Sequence, residues 1–146
     1  MRDLVPLRAG SLGVYNCGPT VYDYQHIGNL YTYLTADIAR RTFEYFGYRV
    51  LQIMNITDAG HLVGDADVGG EDKMAVGARR ENVDPLVIAE RYTKQFFIDR
   101  EKLNILTPHR VPKATEHIPE MISLIEKLLS GGHAYAAADG VYFDAA

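Results

Sequence analysis

Cysteine occurs once in these 146 residues, at Cys17, which excludes an internal disulfide and any zinc site built from several thiolates of this chain. That thiol must pack, react or join ligands from outside. No apolar run reaches the roughly eighteen residues of a membrane-spanning helix. The opening MRDLVPLRAG also lacks the charged, apolar and small-residue sections of a secretory signal. A soluble cytoplasmic protein with no membrane partner is the expectation. The formal charge of -4 provides no steering field for a polyanion, so any contact with RNA has to come from a local patch or from sequence beyond this stretch. There is neither an internal repeat nor a low-complexity tract. What is present is 47% apolar residues, enough for the core of one compact domain.

The apolar run Leu12 to Cys17 ends at Gly18-Pro19 and reads as a strand opening into a loop, Thr20 to Ile27. From Gly28 to Tyr45 the polar residues Asp37, Arg40, Arg41 and Glu44 form one stripe at helical spacing. The expectation is a helix whose wet face carries that stripe and whose packing face carries Leu30, Leu34, Ile38 and Phe46, with Gly47 as its stop. Tyr48 to Ile56 is apolar at both alternating sets of positions, as in a parallel strand buried on two sides. Strand, helix and strand make one right-handed crossover unit, so the predicted class is α/β with a parallel sheet. Thr57 to Gly70 reads as a loop and Glu71 to Arg80 as a short helix. Asp84-Pro85 is a cap-and-first-turn signature for a long helix carrying Ala89, Tyr92, Phe96 and Leu103. A further helix is expected over Pro119 to Leu129, stopped by Gly131-Gly132. A hairpin turning at Asp139-Gly140 follows it.

The chemistry concentrates in CGPTVYDYQHIGN, Cys17 to Asn29, at a strand end and a helix start, where open parallel sheets place their ligands. Free backbone N–H groups near Gly28 and Asn29, with the positive end of the helix dipole, suit a phosphate, and Gly28 allows it close. His26 beside them is placed to stabilise charge on a phosphoryl oxygen, or else simply to cap the helix. Cys17 reads either as a ligand or as a small buried hydrophobe at a strand end. His61, Asp65 and Asp67 lack the ladder of a calcium loop and read as a solvated loop. His109, His117 and His133 have no spacing that defines a site.

The segment CGPTVYDYQHIGN resembles the extended HIGH signature of cysteinyl-tRNA synthetases. NITD (55–58), EDKM (71–74), FFIDREKLNI (96–105), PKATEHI (112–118) and GVYFD (140–144) are similar to later landmarks of that family, in its order. The resemblance implies a class I aminoacyl-tRNA synthetase catalytic domain. Its Rossmann-like, HUP-type nucleotide-binding core would have its first half over about residues 10–105, and the start of a connective insertion would occupy about 106–146. It implies ATP with Mg2+, L-cysteine and tRNA-Cys as substrates, and a zinc ion that binds the substrate thiolate and rejects a hydroxyl. Carried over by residue, Cys17 is a zinc ligand, His26, Gly28 and Asn29 hold ATP, with His26 and Asn29 as catalytic groups, and Gly18 and Thr20 line the cysteine pocket.

Against the family pattern, three zinc ligands and the KMSKS signature are missing. Lys73-Met74 lies too early to be that signature and reads as a helix start with a surface ion pair. The loop 59–70 departs from the shorter TDIDDK-type pattern, and both ends look cut. An incomplete synthetase domain, inactive alone and prone to self-association through exposed strand edges, is the leading expectation. The alternatives are a fragment of the related ligase that joins cysteine to an amino sugar, or a non-catalytic remnant that binds a nucleotide or a protein.

Overall fold

The computed structural model describes residues 3–60, 78–79 and 81–145. The chain divides into two units, Met1–Ala114 and Thr115–Ala146, so residues 106–114 belong with the first.

In the first unit, strand β1 (Ser11–Asn16) leads through a loop into helix α1 (Ile27–Tyr45) and back to strand β2 (Arg49–Met54). The strands are parallel, in register from Ser11 opposite Arg49 to Asn16 opposite Met54. The free edge of β2 is taken by the segment around 109–114, where Met54 N donates to Arg110 O (3.1 Å) and Ile56 N to Pro112 O (2.8 Å). Thus β2 lies in the middle of a short parallel arrangement, with its amide groups satisfied on both sides. Helix α2 (Pro85–Lys102) starts as its sequence dictates, with the Asp84 carboxylate accepting from Leu86 N at 2.7 Å and Pro85 in the first turn. Tyr33 of α1, Met54 and Ile56 at the end of β2, Ile88, Tyr92 and Phe96 of α2, and the loop residue Val21 form the core. Of the short helix predicted over 71–80, Ala78 and Arg79 are helical and the remainder falls outside the described residues.

Two expectations about faces are corrected. On α1 part of the polar stripe points inward: Asp37 and Arg40 are buried while Arg41 and Glu44 are exposed, and of the expected packing face Leu30 meets the core but Ile38 and Phe46 are 56% and 71% exposed. The buried charges are tolerable because they are fully engaged. Asp37 accepts from Leu106 N (2.9 Å) and from Arg41 Nε (2.7 Å), and Arg41 also donates to Asn104 O (2.7 Å). Arg40 donates to Glu44, to Gln52 Oε1 (3.2 Å) and to Thr107 O (2.9 Å), and Gln52 passes the chain of bonds to Asn16 (2.9 Å). Side chains of α1 therefore act as the staples that hold segment 104–107 and both strands. The second correction concerns β2. It alternates, burying Val50, Gln52 and Met54 and leaving Leu51 exposed, because among the described residues helices cover one sheet face only. The guanidinium of Arg100 shares this interior, lying 5.5 Å from the Phe96 ring centre and donating to Leu106 O. Burial lowers its pKa and the nearby Asp37 opposes that.

A 3-10 turn (Ala114–His117) begins at the last residue of the first unit, and in the second unit helix α3 (Ile118–Ser130) follows it and ends at Gly131 with Gly132 in the left-handed region at φ 74°. None of the α3 residues is buried among the described residues. Strands β3 (Ala134–Ala137) and β4 (Gly140–Phe143) form the hairpin. Ala137 pairs with Gly140, so the two-residue turn is Ala138-Asp139 and Gly140 opens the returning strand. Asp139 accepts from Tyr142 Oη at 3.0 Å, which favours this register over a turn at Asp139-Gly140.

Candidate active site

Beyond β1 the loop 17–26 is pegged to the core by Pro19 and Val21, both fully buried. It runs parallel to residues 55–57: Thr57 N donates to Pro19 O (2.9 Å) and Val21 N to Thr57 O (3.2 Å). Asn55 clamps the start of this seam. Its Oδ1 accepts from Gly18 N (2.9 Å) and Tyr15 Oη (3.0 Å), and its Nδ2 donates to Thr57 Oγ1 (2.9 Å). Gly18 has to be glycine here, since a Cβ would sit 2.8 Å from the Asn55 carbonyl carbon and closer still to its oxygen. Further along, the Tyr24 ring meets Tyr92 edge-on at 5.0 Å, leaning the loop on α2.

His26 is the N-cap of α1. Its Nδ1 accepts from Gly28 N (3.1 Å) and Asn29 N (3.4 Å), and Asn29 Oδ1 returns the favour to His26 N (3.3 Å). This reciprocal capping box changes the expected chemistry. The two amides read as free for a phosphate are already occupied by the imidazole, and a Cβ at Gly28 would come within 3.1 Å of that ring. Gly28 thus makes room for His26. A ring nitrogen that accepts carries no proton, so the hydrogen of His26 is on Nε2. Capping therefore leaves two oriented donors, His26 Nε2–H and Asn29 Nδ2, with no partner among the described residues.

Cys17, Gly18, Thr20, His26, Asn29 and Tyr33 line one cleft of about 480 Å³, so five of the six site residues named from the sequence meet at its wall, and the sixth, Gly28, lies in the cap of α1. Cys17 is exposed, which rules out its reading as a buried hydrophobe. Tyr33 is buried and its hydroxyl is pushed up to about 12, first by burial, then by the charge of a Cys17 thiolate, with Arg100 opposing. It stays a neutral phenol, hence a donor, across the physiological range.

Among the described residues no group of three or more His, Cys, Asp or Glu side chains could hold a metal ion. Cys17 alone is a fitting soft donor for zinc, and the described residues do not complete a site around it. His61, Asp65, Asp67 and Lys73-Met74 lie outside the described residues. His109 is structural, its Nδ1 accepting from Gln52 N at 3.0 Å beside β2. His117 is 3.9 Å from Glu120 in the first turn of α3. His133 joins the hairpin base, where its carbonyl accepts from Asp144 N at 2.9 Å. Sequence reasoning passed over Asn55 and Tyr33. Asn55 stands in the quoted NITD stretch without a role, and Tyr33 is one helical turn beyond Asn29 on the same face.

A loop pinned at a strand end, a capped helix start and a cleft between them form a candidate site at the carboxyl end of a parallel α/β unit, the place where such sheets put their ligands. Residues 3–146 match the family of class I (C) tRNA synthetase catalytic domains, and the chain belongs to that family. It is 53% identical over 142 residues to the cysteine–tRNA ligase of Treponema denticola, a match that takes in 97% of this chain and 29% of the relative. It is 51% identical over 144 residues to cysteine–tRNA ligase 1 of Burkholderia lata (99% and 30%). With the cysteine–tRNA ligase of Deinococcus radiodurans it shares 48% over 140 residues (96% and 28%). The chain thus spans about three tenths of the length of these curated relatives.

Proposed function

We propose that this chain carries the first part of a cysteine–tRNA ligase active site and that catalysis belongs to the whole cytoplasmic enzyme. In that reaction a carboxylate oxygen of cysteine attacks the α-phosphorus of Mg2+-bound ATP. The bond to pyrophosphate breaks, leaving cysteinyl-adenylate. A ribose hydroxyl at the end of tRNA-Cys then attacks the acyl carbon, and AMP leaves.

The observation that carries this reading is the reciprocal cap of His26 and Asn29. It holds two donor atoms at the wall of the cleft that Cys17 also lines, without cost of reorganisation when phosphate charge builds up. His26 Nε2–H and Asn29 Nδ2 donate to phosphate oxygens, and Gly18 and Thr20 border the amino acid. Cys17 supplies one thiolate of a zinc site completed by polypeptide outside this chain. Zinc there would bind the soft sulfur of cysteine and discriminate against serine.

The test is zinc content together with cysteine-dependent ATP–pyrophosphate exchange, on the 146-residue chain and on the same chain extended to the length of its relatives. Zinc and exchange in the extended protein, both lost on Cys17→Ser, support the reading. An extended, folded protein without exchange would sink it.

A further inference from the structure

Helix α1 offers His26, Asn29 and Tyr33 to one cleft, and the cap accounts for the first two. Tyr33 is left over. Its side chain is 7% exposed, and its ring is held edge-on by Phe96 with centres 4.9 Å apart. Phe96 is itself fixed, fully buried under the Arg100 guanidinium. The tyrosine ring therefore has no freedom to swing its hydroxyl elsewhere. The Tyr33 hydroxyl has no hydrogen-bond partner among the described residues, and it is not one of the side-chain atoms shut off from solvent, so it keeps an opening although the residue is otherwise buried. The ring borders the cleft beside Cys17, and that is where an acceptor can reach the hydroxyl.

We propose that the Tyr33 hydroxyl donates a hydrogen bond to the aminoacyl part of a ligand seated beside Cys17, making Tyr33 a specificity residue of the amino-acid pocket. The inference rests on the adenylate-forming reading above. A pocket with a fixed donor at its base disfavours ligands that leave that donor unpaired, which adds a second criterion to sulfur recognition at Cys17.

Two probes separate the inference from the reading beneath it: a non-hydrolysable cysteinyl-sulfamoyl adenosine, and sulfamoyl adenosine without the aminoacyl group. Binding of both is measured by isothermal titration calorimetry on the chain extended to the length of its relatives and on the Tyr33→Phe variant of that extended protein. The expected result is a loss of about tenfold for the cysteinyl probe in the variant, with equal binding of the shorter probe and an unchanged urea midpoint. Equal binding of the cysteinyl probe by both proteins overturns the inference and leaves the adenylate reading intact. Equal weakening of both probes also overturns it, since the effect is then not on the aminoacyl part. If the extended protein, folded, binds neither probe, the adenylate reading fails and takes the inference with it.

Discussion

Replacing Gly18 with alanine tests whether the seam between loop 17–21 and residues 55–57 positions the cleft. The added Cβ would fall 2.8 Å from the Asn55 carbonyl carbon and 3.0 Å from Met54 Cγ. The first obstacle is backbone at the end of β2, whose neighbouring amides are tied on the other side to segment 110–112. It cannot yield, so the loop must. Lifting the loop breaks Gly18 N to Asn55 Oδ1 (2.9 Å), Thr57 N to Pro19 O (2.9 Å) and Val21 N to Thr57 O (3.2 Å). At about 0.5–1.5 kcal/mol net for each bond, the loss is on the order of 2–4 kcal/mol. Urea unfolding followed by circular dichroism reads this as a midpoint lowered by about 1–2 M for an m-value of about 2 kcal/mol/M. Hydrogen exchange reads it locally, as lost protection at Val21 and Thr57. Gly13→Ala is the control, because a Cβ there meets nothing within 4 Å, and its midpoint should stay put. Should Gly18→Ala unfold with wild-type midpoint and protection, the seam does not hold the loop as argued.

Other perturbations follow from the same geometry. Asp37→Ala leaves the Leu106 amide unpaired and removes one of the two partners of the half-exposed Arg41, and a loss of about 1–3 kcal/mol in urea unfolding is expected; an unchanged midpoint would show that Asp37 is dispensable. His26→Ala removes the cap of α1 at about 1 kcal/mol. His26→Ser restores that stability but not the Nε2–H donor, so pyrophosphate exchange in the extended enzyme should stay low in both; recovery with serine would refute the donor role. For Tyr33, the hydroxyl ionises near 10 when unfolded and near 12 when folded. Its contribution to stability is then complete below pH 10 and is lost as pH rises from 10 to 12. The gap in unfolding free energy between wild type and Tyr33→Phe should shift against wild type by on the order of 2 kcal/mol across that window, measured by urea titration at each pH. A pH-independent gap would contradict the buried phenol.

Local chemistry made much of this protein legible from its residues. Asp84-Pro85 specifies a helix start and Gly131-Gly132 a stop because capping and left-handed backbone are decided within a few residues. The strand, loop and helix order around Cys17 to Asn29 located the cleft for the same reason, and the motif resemblance found the family. Which way α1 faces was not a local matter. Its apolar and polar stripes both have helical spacing, and part of the polar one turned inward because carbonyls and an amide at 104–107, more than sixty residues away, complete its hydrogen bonds. Likewise only the folded chain brings Asn55 against Gly18 and Phe96 against Tyr33. Sequence by itself determined where helices begin; tertiary structure decided that the named residues share one cleft and which donors are spent on holding the loop and which stay open to that cleft, because that choice depends on partners distant along the chain.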